Sequence, residues 1–152
     1  MSLRSIMERV GKAERSERRP PIPLGRHLLE VDCLKMFESK RSAVTWFLFE
    51  STMVESDQIS TRRGSKHSWI QDMTEEWSYG NLKNLFSALL PDASEEQLES
   101  PDVLMALIDE DKNPAQGEKV WVTVESRESK RNPGQMYKYY IWEPYQPAKA
   151  EE

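Results

Sequence analysis

Apolar and polar residues alternate along much of this chain with the period of two that marks a half-buried β-strand. Three such segments come first, at His27 to Phe37, at Ala43 to Val54 and around His67 to Gln71. Two more follow towards the C-terminus, at Lys119 to Ser126 and at Met136 to Trp142. The pattern therefore predicts three strands, an interruption and a C-terminal hairpin.

The interruption has the period of a helix. Its apolar residues recur at i, i+3, i+4, i+7 and i+8, namely Leu82, Leu85, Phe86, Leu89 and Leu90. This spacing predicts a helix from Thr74 to Leu90, with the acidic residues Glu75 and Glu76 in its first turn and Pro91 at its end.

Two shorter helical segments are expected after Pro91. Ser94 and Gln97 have the spacing of a capping box, which begins a helix. Residues 101–108 are apolar and continue as another short helix or as a buried strand, and the turn residues of 113–117 end this region.

The alternation also assigns faces to the strands. Leu29, Val31 and Cys33 are predicted to share one face of the first strand, and the second strand is apolar on both sides. In the fourth strand three valines are predicted to face inward and three other residues outward: Val120, Val122 and Val124, and Lys119, Trp121 and Thr123 respectively. In the fifth strand Tyr140 and Trp142 share a face with Lys138.

These elements define the predicted organisation. The fold class is mainly β with a helical insertion (α+β): an OB-fold-like, five-stranded Greek-key barrel over residues 24–145, with an acidic helical insertion at about 74–113 between strands three and four. Residues 1–23 alternate charges before a proline-rich stretch and are expected to form a flexible basic arm. Residues 146–152 are expected to be a disordered acidic tail.

The charge distribution permits a nucleic-acid partner although the net charge is -5. Residues 72–118 contain two Lys or Arg against twelve Asp or Glu, whereas residues 119–142 contain five against two. Affinity for phosphate depends on local positive potential, so one acidic block does not exclude binding elsewhere on the surface.

Other classes of protein are less well supported. One cysteine, Cys33, with His27 and His67 leaves a Cys/His metal site incomplete and allows no internal disulfide, and we expect no cofactor. The acidic residues of the insertion lack a His or Lys partner for general acid–base work, so a metal-dependent nuclease is not expected. No apolar run approaches the roughly 20 residues that span a bilayer, and no signal peptide is evident, so an intracellular soluble protein without membrane contact is predicted.

The candidate binding residues are aromatic rings that can stack on bases and cations that can hold phosphates. Trp121 is the best-placed ring, because it lies opposite the valine face beside Lys119. The other rings are Tyr140, Trp142 and Trp46. The other cations are Lys138, Arg62, Arg63, Lys66, Arg127, Lys130 and Arg131, with Lys40 and Arg41 on the first turn.

Several segments resemble phage-encoded OB-fold single-stranded DNA-binding proteins. They are Gly25-Arg-His-Leu-Leu-Glu-Val-Asp, Trp46-Phe-Leu-Phe-Glu, Gly80-Asn-Leu-Lys-Asn-Leu-Phe, Gly117-Glu-Lys-Val-Trp-Val-Thr-Val and Tyr137-Lys-Tyr-Tyr-Ile-Trp-Glu-Pro. The resemblance implies non-specific protection of single-stranded DNA during phage DNA replication or recombination in the host cytoplasm. Many single-strand binders end in an apolar residue that recruits replication enzymes, whereas this chain ends in Glu151-Glu152.

Two alternatives stay open at this point. In the first, the acidic helices dock a replication or recombination enzyme and the barrel is a scaffold. In the second, the acidic residues bind a metal ion for nuclease activity. The sequence also leaves open a homo-oligomer and the choice between DNA and RNA.

Overall fold

In the computed structural model, the alternating segments form five strands and the interruption forms helices. The structure describes residues 2–12, 19–39, 41, 43–109 and 111–146, so the predicted tail beyond Gln146 lies outside the described residues. The elements in chain order are α1 (Leu3–Lys12), β1 (Gly25–Glu38), β2 (Thr45–Ser56), β3 (Lys66–Asp72), α2 (Trp77–Leu89), α3 (Glu95–Leu98), α4 (Pro101–Leu107), β4 (Lys119–Glu128) and β5 (Met136–Pro144).

All strand pairs are antiparallel and form one five-stranded sheet in the order β3-β2-β1-β4-β5. The long strand β1 pairs with both β2 and β4, since Leu29 lies opposite Met53 of β2 and opposite Val120 of β4. The predicted mainly β architecture, with helices between the third and fourth strands, is confirmed. Strands β3 and β5 are the two edges.

The core lies between the inner face of this sheet and helix α2. Phe47 and Phe49 of β2 are fully buried, as are Val120 and Val122 of β4, which confirms the predicted valine face. The Phe86 ring of α2 meets Phe47 edge to face at a centroid distance of 5.9 Å. Helix α2 therefore covers the sheet with the apolar stripe that its sequence predicts.

A bulge changes the alternation in β1. The pairing with β2 shifts between Val31 and Cys33, which adds one residue to β1 and turns the residues after it over. Leu34 is consequently buried, and Cys33 is only half-buried. The prediction that Cys33 continues the inward face of Leu29 and Val31 is wrong for this reason.

The helices differ from the prediction mainly at their first residues. Helix α2 begins at Trp77, so Glu75 and Glu76 precede its first turn. The capping box is confirmed, because Ser94 Oγ accepts from the Gln97 amide at 3.1 Å and Gln97 Oε1 accepts from the Ser94 amide at 2.9 Å. Residues 101–107 are helical, which settles the choice between helix and strand.

The chain before β1 is anchored to both edge strands. Pro21 forms a parallel bridge with Ser68 of β3, and Lys138 of β5 donates to the Ile22 carbonyl at 3.5 Å. The Ile22 side chain is fully buried in the core. The predicted flexible arm therefore does not extend to residue 23, because backbone pairing and an apolar side chain fix its last residues.

Arg19 anchors the same segment on the other face of the sheet. Its guanidinium donates to Asp32 Oδ2 at 2.6 Å and lies 2.9 Å from Glu50 Oε2. Burial alone would raise the pKa of Asp32, but hydrogen bonds from Arg19 and Thr52 outweigh it and lower that pKa. Arg19 is thus committed to an ion pair and is not part of a free basic arm.

Aromatic rings bring the two edge strands together. The Trp69 ring of β3 lies 5.0 Å from the Trp142 ring and 5.8 Å from the Tyr140 ring, both on β5, measured between centroids. The sheet therefore curves until its edges meet through side chains, without a backbone ladder between them. In the part of the chain that the structure describes, no helix combines the length and apolar character needed to cross a membrane.

Candidate nucleic-acid interface

A groove runs along the edge of β5 that faces away from β4. Its central cavity has a volume of about 450 Å³ and lies between β5, the end of β3 and the first turns of α2. Six aromatic residues line it together with one amide and one cation: Trp69, Trp77, Tyr137, Tyr139, Tyr140 and Trp142, with Asn81 and Lys138.

Two adjoining cavities extend this groove in both directions. One, of about 560 Å³, shares Lys138 with the central cavity and reaches Arg62 and the proline segment before β1. The other, of about 300 Å³, shares Tyr139 and Tyr140 with it and ends at Pro144. We call the three cavities together the β5 groove, and β5 at nine residues makes it about 30 Å long.

The groove has a buried wall and an exposed rim. Trp69 and Trp142 form the wall and belong to the core, and Tyr140 stacks on Trp142 at 6.2 Å with an interplanar angle of 11°. Trp77 and Tyr137 form the rim, with 62% and 47% of their surfaces exposed. The most exposed rings of the groove are therefore the rim residues, and Tyr140 lies between rim and wall. Tyr137 reaches the rim from the outward side of the hairpin, where it lies opposite Arg127.

The prediction that Trp142 lies on a solvent face is wrong. Its side chain is 9% exposed, because it lies opposite Val122 on the inner face of the hairpin and packs against Phe49. Tyr140 lies opposite Val124 on the same face and is half-buried. Burial raises the pKa of the Tyr140 phenol, which therefore stays protonated at neutral pH.

Trp121 lies on the outer face of the sheet. It pairs with Glu143, whereas its neighbour Val122 pairs with Trp142, so Trp121 and Trp142 are on opposite sides of the hairpin. The Arg26 guanidinium lies 4.1 Å from the centroid of the half-buried Trp121 ring. The structure therefore does not bring Trp121 together with Tyr140 and Trp142.

Cation–π pairs continue along this outer face. Lys119 lies 5.4 Å from the centroid of Tyr145, and Arg127 lies 3.7 Å from that of Tyr139. Arg127 also donates to Glu125 at 2.9 Å, and this hydrogen bond raises the pKa of the guanidinium. The charge of Arg127 is thus partly balanced within the hairpin.

The remaining predicted cations fall into two groups. Lys66 is engaged on the outer face, since its Nζ donates to Thr52 Oγ1 at 2.7 Å and lies 3.8 Å from Asp32. The others are exposed on loops, with Arg62 at the end of the β5 groove: Arg62, Arg63, Lys130, Arg131 and Arg41. Lys40 lies outside the described residues.

Trp46 lies on the outer face of β2 and is half-buried. It pairs with Phe37 of β1 and Asp72 of β3, and it lines none of the three cavities of the β5 groove. The structure thus separates Trp46 from the β5 groove, although sequence reasoning placed it in the same platform.

Sequence reasoning missed the two rim residues. Trp77 lies one position before the helical stripe of Ser78, Leu82 and Leu85, and an aromatic residue off an apolar stripe is expected to face solvent. That signal was available in the sequence. Tyr137 gave no such signal, because both faces of β5 carry aromatic residues.

The comparisons with known proteins add no assignment. No protein-family model matches the chain, and no curated protein matches it. Among the described residues, no three His, Cys, Asp or Glu side chains are grouped so that they could hold a metal ion.

Proposed function

We propose that this protein binds single-stranded DNA without sequence specificity and protects it during phage DNA replication or recombination. The observation that carries the proposal is the β5 groove, where exposed rings adjoin Lys138 and Arg62. Aromatic faces beside cations hold unpaired strands, because any base can stack and every nucleotide carries a phosphate. The phage setting comes from the resemblance of the sequence.

The finer fold assignment that we propose is an OB-fold. Its support is the antiparallel order β3-β2-β1-β4-β5, with β1 paired to both β2 and β4 and the edge strands meeting through aromatic rings. An OB-fold is a partly open five-stranded barrel that binds oligonucleotides on one face and at its connecting loops. The turn between β4 and β5 carries Lys130 and Arg131 and belongs to that set of loops.

In the proposed mechanism, bases stack on the rings of Trp77 and Tyr137 while Lys138 and Arg62 contact phosphates. Stacking contributes about 1–3 kcal/mol per base, so two stacked bases contribute about 2–6 kcal/mol. Stacking does not distinguish one base from another, which accounts for binding without sequence preference. The protein would bind the strand only by non-covalent contacts, so polymerases and recombinases can displace it.

The test is a tryptophan fluorescence titration of the protein with oligo-dT at low and high salt. We expect quenching, and an affinity that falls as salt rises, because phosphate contacts release counterions. Trp77→Ala and Tyr137→Ala should each weaken binding about 5- to 150-fold, which corresponds to the loss of one stacked base.

Trp121→Ala is the matched control, because it removes a ring that lines none of the three cavities of the β5 groove. Its affinity should stay within about threefold of the wild type. No quenching, or an affinity indifferent to salt, would contradict the proposed function. A loss with Trp121→Ala but not with Trp77→Ala would place the binding site on the outer face.

A further inference from the structure

Helix α1 carries an apolar stripe that the described chain leaves without a partner. Leu3, Ile6, Met7 and Val10 recur at i, i+3, i+4 and i+7, so they lie on one side of the helix. Each is 44–77% exposed, and α1 contains no buried residue. A ten-residue helix is marginal by itself in water, so packing of this stripe is needed to stabilise it.

A second unoccupied surface lies on the helical insertion, and none of the residues that line it belongs to β5. A cavity of about 520 Å³ opens between the end of α2, helix α4 and the loop before β4. Its apolar walls include Leu90, Val103, Leu107 and Ala115. We call this cavity the α4 groove.

The two surfaces have opposite charge. Helix α1 contains Arg4, Arg9 and Lys12 against one carboxylate, Glu8. The segment from Glu95 to Leu107 contains four carboxylates and no cation, and one of the four, Glu95, is bridged by Lys83 at 3.4 Å. The rim of the α4 groove adds two more carboxylates, those of Asp92 and Glu118. A basic amphipathic helix therefore matches this groove in both polarity and charge.

The chain enters the fold along β3, and the Arg19 side chain connects this entry to the α4 groove through two contacts. Arg19 donates to Asp32 at 2.6 Å, and the Asp32 carbonyl accepts from Asn113 Nδ2 at 3.0 Å. Asn113 directly precedes Pro114 and Ala115, which line the groove. Six residues lie between Lys12 and Arg19, so seven Cα–Cα steps separate the two and span at most about 25 Å. Helix α1 is thus tethered within reach of a groove on a molecule packed against this side.

We propose that α1 of one copy of this chain docks in the α4 groove of a second copy. Because Arg19 is linked to the groove through Asp32 and Asn113, a two-fold arrangement lets the two copies exchange their helices reciprocally and fill both grooves. The product is a closed homodimer whose β5 grooves are not used in the contact. This inference does not depend on the proposed binding of DNA.

The test is the mass of the full-length protein in solution by sedimentation velocity over a wide concentration range. We expect a dimer for the wild type. Ile6→Asp combined with Met7→Asp in α1 should give a monomer, and so should Val103→Asp in the groove. An equimolar mixture of the two variants should again contain dimers, because the intact helix of one can enter the intact groove of the other.

Ser5→Asp is the matched control, because it adds a carboxylate to α1 away from the apolar stripe, and it should remain dimeric. If Val103→Asp fails to fold by circular dichroism, Asp92→Lys with Glu118→Lys replaces it, since both side chains are exposed. That charge-reversed groove should also give a monomer.

A wild-type monomer would overturn the proposal, whether α1 is then free, folds back on its own groove or awaits another protein. A dimer that survives both the helix and the groove variants would overturn it too, because another surface would then hold the copies together. Affinity of the same variants for a short oligo-dT should equal that of the wild type, which separates this proposal from the proposed function.

Discussion

At the scale of residues, Lys138 lies between two of the three cavities of the β5 groove. It lines both the cavity with Trp77 and the cavity with Arg62, and its Nζ lies 3.5 Å from the Ile22 carbonyl. The cation of Lys138 thus lines the same cavity as the rim rings of Trp77 and Tyr137. In the proposed mode of binding, Lys138 would therefore donate to a phosphate next to a stacked base.

Arg62 and Arg63 are adjacent in the sequence but differ in their position relative to the β5 groove. Arg62 lines the groove and Arg63 does not, although both are exposed. Arg62→Ala should weaken oligo-dT binding and lower the slope of log affinity against log salt by about 0.7, the value for one phosphate contact to a single strand. Arg63→Ala should leave that slope unchanged, and titrations at four or more salt concentrations measure both; equal slopes for the two variants would contradict the assignment.

At the scale of elements, the segment from Arg19 to Ile22 contacts both edge strands, β3 and β5. Its backbone pairs with β3 at Ser68, its Ile22 side chain fills the core, and its Ile22 carbonyl accepts from β5. The edge of β3 is thereby partly covered at this point. Strand edges left open invite pairing with other chains, so this cover also limits aggregation.

The contribution of the buried Ile22 side chain can be tested by measuring the free energy of unfolding. Ile22→Ala should lower the free energy of unfolding by about 2–5 kcal/mol, because the side chain is fully buried. Leu24→Ala is the matched control at a position 47% exposed and should change it by less than about 0.5 kcal/mol. Urea denaturation of the two variants makes the comparison, and a similar small effect for both would show that the segment detaches easily.

Local pattern predicted the elements but not their tertiary neighbours. The five strands, the insertion, the capping box at Ser94 and the valine face all follow from periods and spacings within about ten residues of sequence. The face of β5 that is buried depends on packing by α2 and β3, which are distant in the sequence. The burial of Trp142 could therefore not be predicted from the local pattern of β5. The burial of Ile22 was missed because the prolines around it indicate an exposed loop. In the structure its side chain packs in the core.

At the scale of the whole molecule, the charge is divided between regions of the fold. The carboxylates concentrate on α3, α4 and the turns beside them, while Arg62, Lys130 and Arg131 lie on loops that join strands. Phosphate is repelled by the first region and attracted by the second. Under the proposed function, a DNA strand would therefore be directed away from the helical insertion.

The stability of the fold should fall as the pH drops from 7 towards 5, because of His67. Burial lowers the pKa of this imidazole from 6.5, and its contact with the Pro21 carbonyl only partly offsets that effect. The unfolded chain then binds more protons than the folded chain below pH 6.5, so unfolding is favoured. His67→Gln should reduce this dependence, as measured by urea denaturation across that range, and an unchanged dependence would exclude His67 as its source.

The buried position of Ile22 also sets where a recombinant fragment of this protein can begin. A fragment that starts at the first predicted strand would begin at His27 and would delete a side chain from the interior. A fragment that starts at Arg19 retains Ile22 and the ion pairs to Asp32 and Glu50, while it omits the helix that we assign to dimer formation.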